Sequence, residues 1–329
     1  MGIELKNPII VGACNLVTDL KNLKRLEEAG ASAIVYKSLF EEQLHLENLM
    51  MSEAMGEFDG RHSEVNSMFP GFDHAGPKEY LMNLKKAKSS LNIPLFASLN
   101  AVYEESWIDY AKQIEAAGID GIELNLYSMP SDMDAGANFM IESQIKIVEG
   151  IRSAVKIPVA VKLSPFYSNP IALINKMDHM GADAFVLFNR LFQPDIDLDK
   201  EELHFPYNLS AEGDYRLAMR FAGLLHGNIK ANICSSGGVF TGQDVAKMLL
   251  AGADSVQVVS TLYVNGIGQI SVILDQLKNW MNSKGYKSIN DFKGKLAKKN
   301  IKDSFAYNRA QYIDIIMNSD EIFNKYPMI

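Results

Sequence analysis

The amino-acid sequence predicts an α/β protein: a (β/α)8 barrel with long loops on its C-terminal face and a helical tail at its C-terminal end. Three observations predict it. Apolar runs of strand length alternate with helical patterns of about ten residues or more, which implies parallel βαβ units. Four helical patterns close on glycine just before the next apolar run, at Ala29-Gly30-Ala31, Ala117-Gly118-Ile119, Met180-Gly181-Ala182 and Ala251-Gly252-Ala253. Lastly, Ile233-Cys234-Ser235-Ser236-Gly237-Gly238 is followed, after one helix, by a second strand that ends in Ser260-Thr261. Loops after the seventh and eighth strands of such a barrel are where a phosphate is commonly held. A doubly wound open sheet is the alternative architecture, and no Gly-x-Gly-x-x-Gly follows the first strand to support it.

In order, Pro8-Ile9-Ile10-Val11-Gly12 is the first strand, and the second runs from Gly30 to Lys37-Ser38. A connection from about Leu39 to Gly76 is longer than a barrel needs and holds Asn66-Ser67-Met68-Phe69-Pro70-Gly71, as a lid or binding loop would. Asn92-Ile93-Pro94 stops a helix, since the residue before proline is driven out of the helical region, and starts the third strand, Leu95 to Leu99. The fourth ends at Asn125; Lys156-Ile157-Pro158 then opens the fifth, Val159-Ala160-Val161-Lys162. The sixth ends at Asn189, before a second long connection, Arg190 to Gly213, that contains Phe192-Gln193-Pro194-Asp195. Lys230 to Cys234 is the seventh strand, and the eighth follows Gly252. The barrel unit is read as residues 1–296 and a C-terminal helical extension as 297–329. Within it, Asp303 to Asn318 places Tyr307, Ala310, Ile313 and Met317 on one helical side, to pack on the barrel or on a sister subunit of a homodimer.

Composition narrows the function classes. With 329 residues and 47% apolar content the chain can bury a large core. A formal charge of −8 argues against nucleic acid or an anionic membrane surface as partner, and no apolar run approaches the ~18 residues of a spanning helix. Met1-Gly2-Ile3-Glu4-Leu5-Lys6 leads into a strand without signal-peptide character. Cys14 and Cys234 sit in apolar strand contexts and build no disulfide framework, which suits a reducing, cytoplasmic setting. The six histidines show neither close pairing nor cysteine–histidine spacing, so no metal site is expected.

The polar residues at strand ends converge on one rim. Gly237 and Gly238 let backbone N–H groups approach an anion without a Cβ in the way, and the helix begun near Thr241 turns its positive end to that loop. Ser260 and Thr261 add hydroxyl donors. Lys37, Ser38, Asn125, Lys162 and Asn189 share the rim. Lys162 closes an apolar strand, where an amine is costly to desolvate without an anionic partner, so a bound negative group is expected beside it.

These residues resemble the flavin-dependent dihydroorotate dehydrogenases, above all the soluble class, from Asn7 to about Leu296. The tightest piece is Trp280-Met281-Asn282-Ser283-Lys284-Gly285-Tyr286-Lys287-Ser288-Ile289-Asn290-Asp291-Phe292-Lys293-Gly294-Lys295-Leu296. The resemblance implies flavin mononucleotide (FMN), its phosphate at Gly237, Gly238, Ser260 and Thr261, with Ala13, Lys37, Ser38, Asn125 and Lys162 around the cofactor. It implies that Lys37, Asn66, Asn125 and Asn189 hold the substrate, a small molecule. It further implies oxidation of dihydroorotate to orotate in pyrimidine biosynthesis, with Lys162 and Ser128 as catalytic residues: Ser128 takes a proton while the adjacent carbon gives hydride to flavin N5. The soluble class usually has cysteine in place of Ser128.

Departures fall on the substrate side. Met129-Pro130-Ser131 lacks the second asparagine of the family's catalytic loop, Asn66-Ser67-Met68-Phe69-Pro70-Gly71 lacks its Gly-Leu-Pro-Asn, and Arg190 replaces a small hydroxyl residue. A related cyclic substrate, a non-redox lyase or isomerase using the cradle for its substrate's phosphate, and a flavoprotein with a decayed catalytic loop are the alternatives. Fumarate, a partner flavin–iron–sulfur subunit or a quinone-like molecule would serve as electron acceptor with these residues unchanged.

Overall fold

A computed structural model of the chain describes residues 1–42, 77–127, 136, 138–191, 193–206, 209–308 and 310–317. Eight parallel strands close a barrel: β1 (Ile9–Val11), β2 (Ala33–Phe40), β3 (Leu95–Asn100), β4 (Gly121–Asn125), β5 (Val159–Leu163), β6 (Ala184–Leu187), β9 (Asn232–Ser236) and β10 (Ser255–Val258). They neighbour one another in chain order, and β10 closes back onto β1. Two short strands, β7 (Asp195–Asp197) and β8 (Glu202–His204), form a separate antiparallel hairpin in the excursion after β6. Helices α1 (Leu20–Glu28), α2 (Lys78–Ser90), α3 (Glu104–Ala116), α4 (Phe139–Ala154), α5 (Pro170–His179), α6 (Arg216–Leu225), α7 (Gly242–Ala251), α8 (Ser260–Asn265) and α9 (Gln269–Ser283) alternate with the strands, and α10 (Ala310–Met317) follows them.

The period-two alternation of a strand divides the core. Ile10, Val35, Phe96, Ala160, Val186 and Cys234 point into the barrel, closed below by Met1. Their neighbours Val11, Ile34, Leu95, Val161 and Phe185 point outward and pack with Leu23, Leu84, Trp107, Val148 and Ile174 of the helices. A truncation such as Phe96→Ala inside the barrel would cost about 3–5 kcal/mol, because its surroundings cannot collapse into the void. At the helix–strand junctions glycine is needed for its left-handed backbone: Gly252 has φ 121°, and a Cβ there would run into the His226 ring.

All eight expected barrel strands are present, with differences at their ends. β2 continues past Lys37-Ser38 to Phe40, its pairing with β3 shifting register between Tyr36 and Leu39. The eighth barrel strand stops at Val258 and does not reach Ser260-Thr261; Val259 leaves the extended region and those two residues open α8. Asn189 lies two residues beyond the end of β6. The hairpin β7–β8 was not expected, since three-residue strands carry too little alternation to be read.

The tail also differs from one continuous helix. A 3-10 turn spans Phe305–Tyr307, and α10 begins only at Ala310. Tyr307 leaves the helix because it is held by the barrel: its hydroxyl donates to Leu296 O over 2.7 Å, and Arg220 Nη2 of α6 donates to its carbonyl over 3.1 Å. Its ring lies over Gly223, where any Cβ would overlap the hydroxyl. Ile313 and Met317, by contrast, are 59% and 76% exposed on this chain. Among the described residues no helix is long and apolar enough to cross a membrane.

Candidate active site at the C-terminal mouth of the barrel

Lys162 is the cation of the site. On β5 it faces the interior like Ala160, two residues before it, and its Cα is in register with Asn125 of β4. Its side chain is 12% exposed, and its Nζ lies 3.4 Å from Glu123 Oε1 and 3.3 Å from Gln257 Oε1. Glu123 of β4 is 0% exposed, and Gln257 Nε2 of β10 donates to its Oε2. The anionic partner that a lysine at this position requires is thus within the protein, in β4. Gly12, at the end of β1, makes room for the amide: a Cβ there would stand 3.1 Å from Gln257 Oε1.

Three asparagines link the neighbouring strand ends. Asn189 Nδ2 donates to Asn125 Oδ1 over 2.5 Å, and Asn100 Nδ2 of β3 donates to Asn125 O over 2.8 Å. The structure therefore brings Asn125, Asn189 and Lys162 together as expected, and adds Asn100, which the sequence reading left out. Ser38 is placed differently: it is buried and shares a 2.6 Å hydrogen bond with Ser98, so its hydroxyl is engaged inside the protein. Lys37 is half-buried on β2, its carbonyl accepting from the Tyr80 hydroxyl over 2.9 Å, and among the described residues its amine has no acidic partner. Ala13 follows Gly12 and packs against the interior cluster. Ser128 and Asn66 lie outside the described residues.

The glycine loop after β9 is open to a ligand. Gly237 and Gly238 have φ of 95° and 67°, and among the described residues neither N–H donates a hydrogen bond within the protein. Gly237 has room beside it, the nearest atom to a Cβ being Ser210 Oγ at 3.9 Å. Gly238 does not: a Cβ would stand 2.7 Å from Ala211 O and from Asp214 Cβ, so packing against the 211–214 loop demands that glycine. Ser260 Oγ accepts from Ser210 N over 2.9 Å, which leaves its hydroxyl hydrogen free to donate. Arg190 Nη1 reaches this loop too, donating to Asp214 Oδ2 over 2.9 Å.

Two other groups expected at the cradle have partners within the protein. Thr261 is 1% exposed and its Oγ1 accepts from Asn265 Nδ2 over 3.2 Å, one turn on, so its hydroxyl is buried in α8. The N-terminus of α7 is capped by its own residues: Thr241 Oγ1 accepts from Asp244 N, Asp244 Oδ2 accepts from Thr241 N over 3.0 Å, and Gly242 N donates to Gln276 Oε1 over 2.8 Å. Burial opposes ionisation of Asp244. Hydrogen bonds from Thr241, Lys247 and the N–H of Phe240 outweigh it and hold the carboxyl below its ordinary value. A carboxylate already stands at this helix end.

Burial pushes the Cys234 thiol up to about 11, and that of Cys14 is raised by burial as well, so both stay protonated at neutral pH. Among the described residues no three His, Cys, Asp or Glu side chains are grouped to hold a metal ion. Glu123, Gln257 and Asn100 are the polar residues of the site that sequence reasoning missed. The signal for Glu123 was its spacing of two from Asn125, which puts both on one face of β4.

The sequence model of the dihydroorotate dehydrogenase family matches residues 1–281 of the chain. Among relatives, the chain is 30% identical over 305 residues to the catalytic subunit of dihydroorotate dehydrogenase B (NAD(+)) from Methanosarcina mazei, covering 89% of this chain and 92% of that one. It is 28% identical over 289 residues to the corresponding subunit from Methanocaldococcus jannaschii, covering 85% and 91%. With dihydroorotate dehydrogenase A (fumarate) from Lactobacillus helveticus it shares 26% over 302 residues, covering 90% and 96%. The crystal structure of DHODH in complex with ferulenol from Eimeria tenella superposes with a TM-score of 0.61 over 88% of this chain and 85% of that one, at 16% identity, and so shares the fold.

Proposed function

Because this chain belongs to the dihydroorotate dehydrogenase family, we propose that it binds flavin mononucleotide and oxidises dihydroorotate, or a close cyclic relative, to the unsaturated product. Membership makes it an oxidoreductase acting on a CH–CH bond, and the identity of cofactor and substrate is our reading. One observation carries that reading: Lys162 is held at the same end of the barrel as a glycine loop whose N–H groups have no acceptor within the described protein.

The donors present fit the cofactor. Gly237 and Gly238 N–H groups and the Ser260 hydroxyl would hold its phosphate, and Lys162 would stand at the end of the ring that gains negative charge. Bound flavin supplies the hydride acceptor. Asn125 and Asn189, locked to each other, keep Asn125 Nδ2 and Asn189 Oδ1 for the amide edge of a cyclic substrate, and Lys37 is available for its carboxylate. Ser128 takes the substrate proton; a hydroxyl is a weak base at neutral pH, so it needs a relay or a dry pocket. Residues from 297 on are read as an extension docked on α6 through Tyr307. The electron acceptor is read as fumarate or a partner subunit that passes electrons to NAD, after the relatives named for each, and the compartment as the cytoplasm.

Arg190 supports the second reading, a related substrate, because it stands where a small hydroxyl is usual and is pinned to Asp214 at 2.9 Å. Denaturing the purified protein and identifying the released chromophore by mass tests the cofactor. About one FMN per chain is expected; a colourless protein, or a chromophore without phosphate, contradicts the assignment.

A further inference from the structure

Inside the barrel, beneath the lysine of the site, a carboxylate is buried with no contact with solvent. Glu123 is 0% exposed; its Oε2 takes the hydrogen bond from Gln257 Nε2, and its Oε1 receives no hydrogen bond and faces Lys162 Nζ at 3.4 Å. An ionised carboxylate in that position is costly to desolvate, and a well-packed apolar pair of the same volume would serve stability equally well. Stability alone does not explain why the charges are there.

The geometry of the three side chains does. A carboxylate only accepts, so Glu123 fixes which way round the Gln257 amide sits: its NH2 turns to Glu123 and its carbonyl turns to Lys162. Lys162 then spends one N–H on Gln257 Oε1 at 3.3 Å, while its attraction to Glu123 Oε1 acts without a hydrogen bond. The remaining N–H groups are left for whatever lies at the mouth. Gly12 keeps the space that the amide needs. The thiols of Cys14 and Cys234 are held protonated by burial and supply this amine no counter-charge.

We propose that Glu123 and Gln257 are positioning residues that hold the Lys162 amine aimed at the barrel mouth, with Glu123 as its internal counter-ion. The assignment deepens the flavin reading above and rests on it only for the consequence: the pair sets how much positive charge the cofactor's ring meets. Removing the negative charge by Glu123→Gln leaves an isosteric side chain but a lysine without its counter-ion.

The test has two readouts. In flavin-free protein, acetylation of Lys162 by acetic anhydride at neutral pH, followed by peptide mass spectrometry, is expected to be faster in Glu123→Gln, where no carboxylate holds the amine. Glu123→Asp, which keeps the charge, should restore the slower rate. In flavin-loaded protein, the reduction potential of Glu123→Gln should shift from that of the wild type, and Glu123→Asp should return it. A merely structural carboxylate would leave Lys162 reactivity equal in all three proteins, and that result overturns the proposal. Should Glu123→Gln not fold, Gln257→Met, which takes away the carbonyl that accepts from Lys162 Nζ, must change the rate of the same acetylation; an unchanged rate overturns it equally. A protein that binds no flavin yet shows the reactivity change would sink the cofactor reading and leave the counter-ion assignment standing.

Discussion

Asn189 Nδ2 lies 2.5 Å from Asn125 Oδ1, so the two side chains bridge the ends of β4 and β6 across β5, the strand that carries Lys162. Each asparagine orients the other, and the free half of each amide is thereby fixed for a partner. Replacing either with alanine leaves its mate unoriented and, on the proposed function, removes a contact to the substrate. We expect Asn125→Ala and Asn189→Ala each to raise KM for dihydroorotate by roughly 10- to 100-fold, the ~1–3 kcal/mol of an unsatisfied polar group. Residues in one network do not act independently, so the double variant should lose clearly less than the sum. Steady-state kinetics on the three variants decides it; strict additivity would mean that the pair does not act as a unit.

The two hydroxyls after β10 should behave differently. Ser260→Ala is expected to weaken flavin binding about tenfold, the ~1.5 kcal/mol of a hydrogen bond to a charged group, with the fold intact. Thr261→Val, whose side chain is 1% exposed within α8, should leave flavin affinity within about twofold. Gly238→Val should empty the site and lower the melting temperature together, because its side chain would displace the 211–214 loop. Fluorescence titration with FMN alongside thermal melts separates these outcomes. A Thr261→Val loss as large as that of Ser260→Ala would reinstate both hydroxyls as ligands.

Much of this was legible beforehand, for physical reasons that differ by element. The strands could be read because both faces of each are buried, which makes an unbroken apolar run such as Ile9-Ile10-Val11, and because glycines such as Gly252 end the helices. Lys162 stood out as a cation in an apolar run, but its counter-ion Glu123 comes from another strand, 39 positions earlier, and only the pairing of β4 with β5 puts the two 3.4 Å apart. Thr241 was misread for the opposite reason. A threonine before a helix marks an N-terminus whether a ligand or its own Asp244 caps it, and the sequence Thr241-Gly242-Gln243-Asp244 spells the self-capping case three residues on.

That cap carries a pH signature. The folded state holds the Asp244 carboxyl below its ordinary value of 3.8, so the stability it contributes is present above that value and is lost as pH falls through the lower folded value. Asp244→Asn should cost about 1 kcal/mol near neutrality, in line with other helix caps. Urea melts of both proteins should converge below the ordinary carboxylate range. A difference that persists unchanged in acid would show that packing, and not the ionised cap, is responsible.

Ser128 is assigned as base through family resemblance. Ser128→Ala should leave the flavin spectrum and substrate affinity nearly intact and slow flavin reduction by at least the ~10² typical of losing a general base. Ser128→Cys, which ionises more readily, should speed proton removal at neutral pH if the loop holds the thiol in place. Rapid-mixing rates for the three proteins give the answer. Equal rates would remove Ser128 from the chemistry.

Reduction of bound flavin by dihydroorotate is the most direct test of the proposed function. Mixing the purified, flavin-loaded protein with dihydroorotate in the absence of oxygen and following the visible flavin absorption measures it. The absorption should bleach in proportion to the substrate added, with orotate appearing in equal amount. A yellow protein that keeps its colour under excess dihydroorotate would contradict the substrate assignment and leave a related cyclic compound to be found.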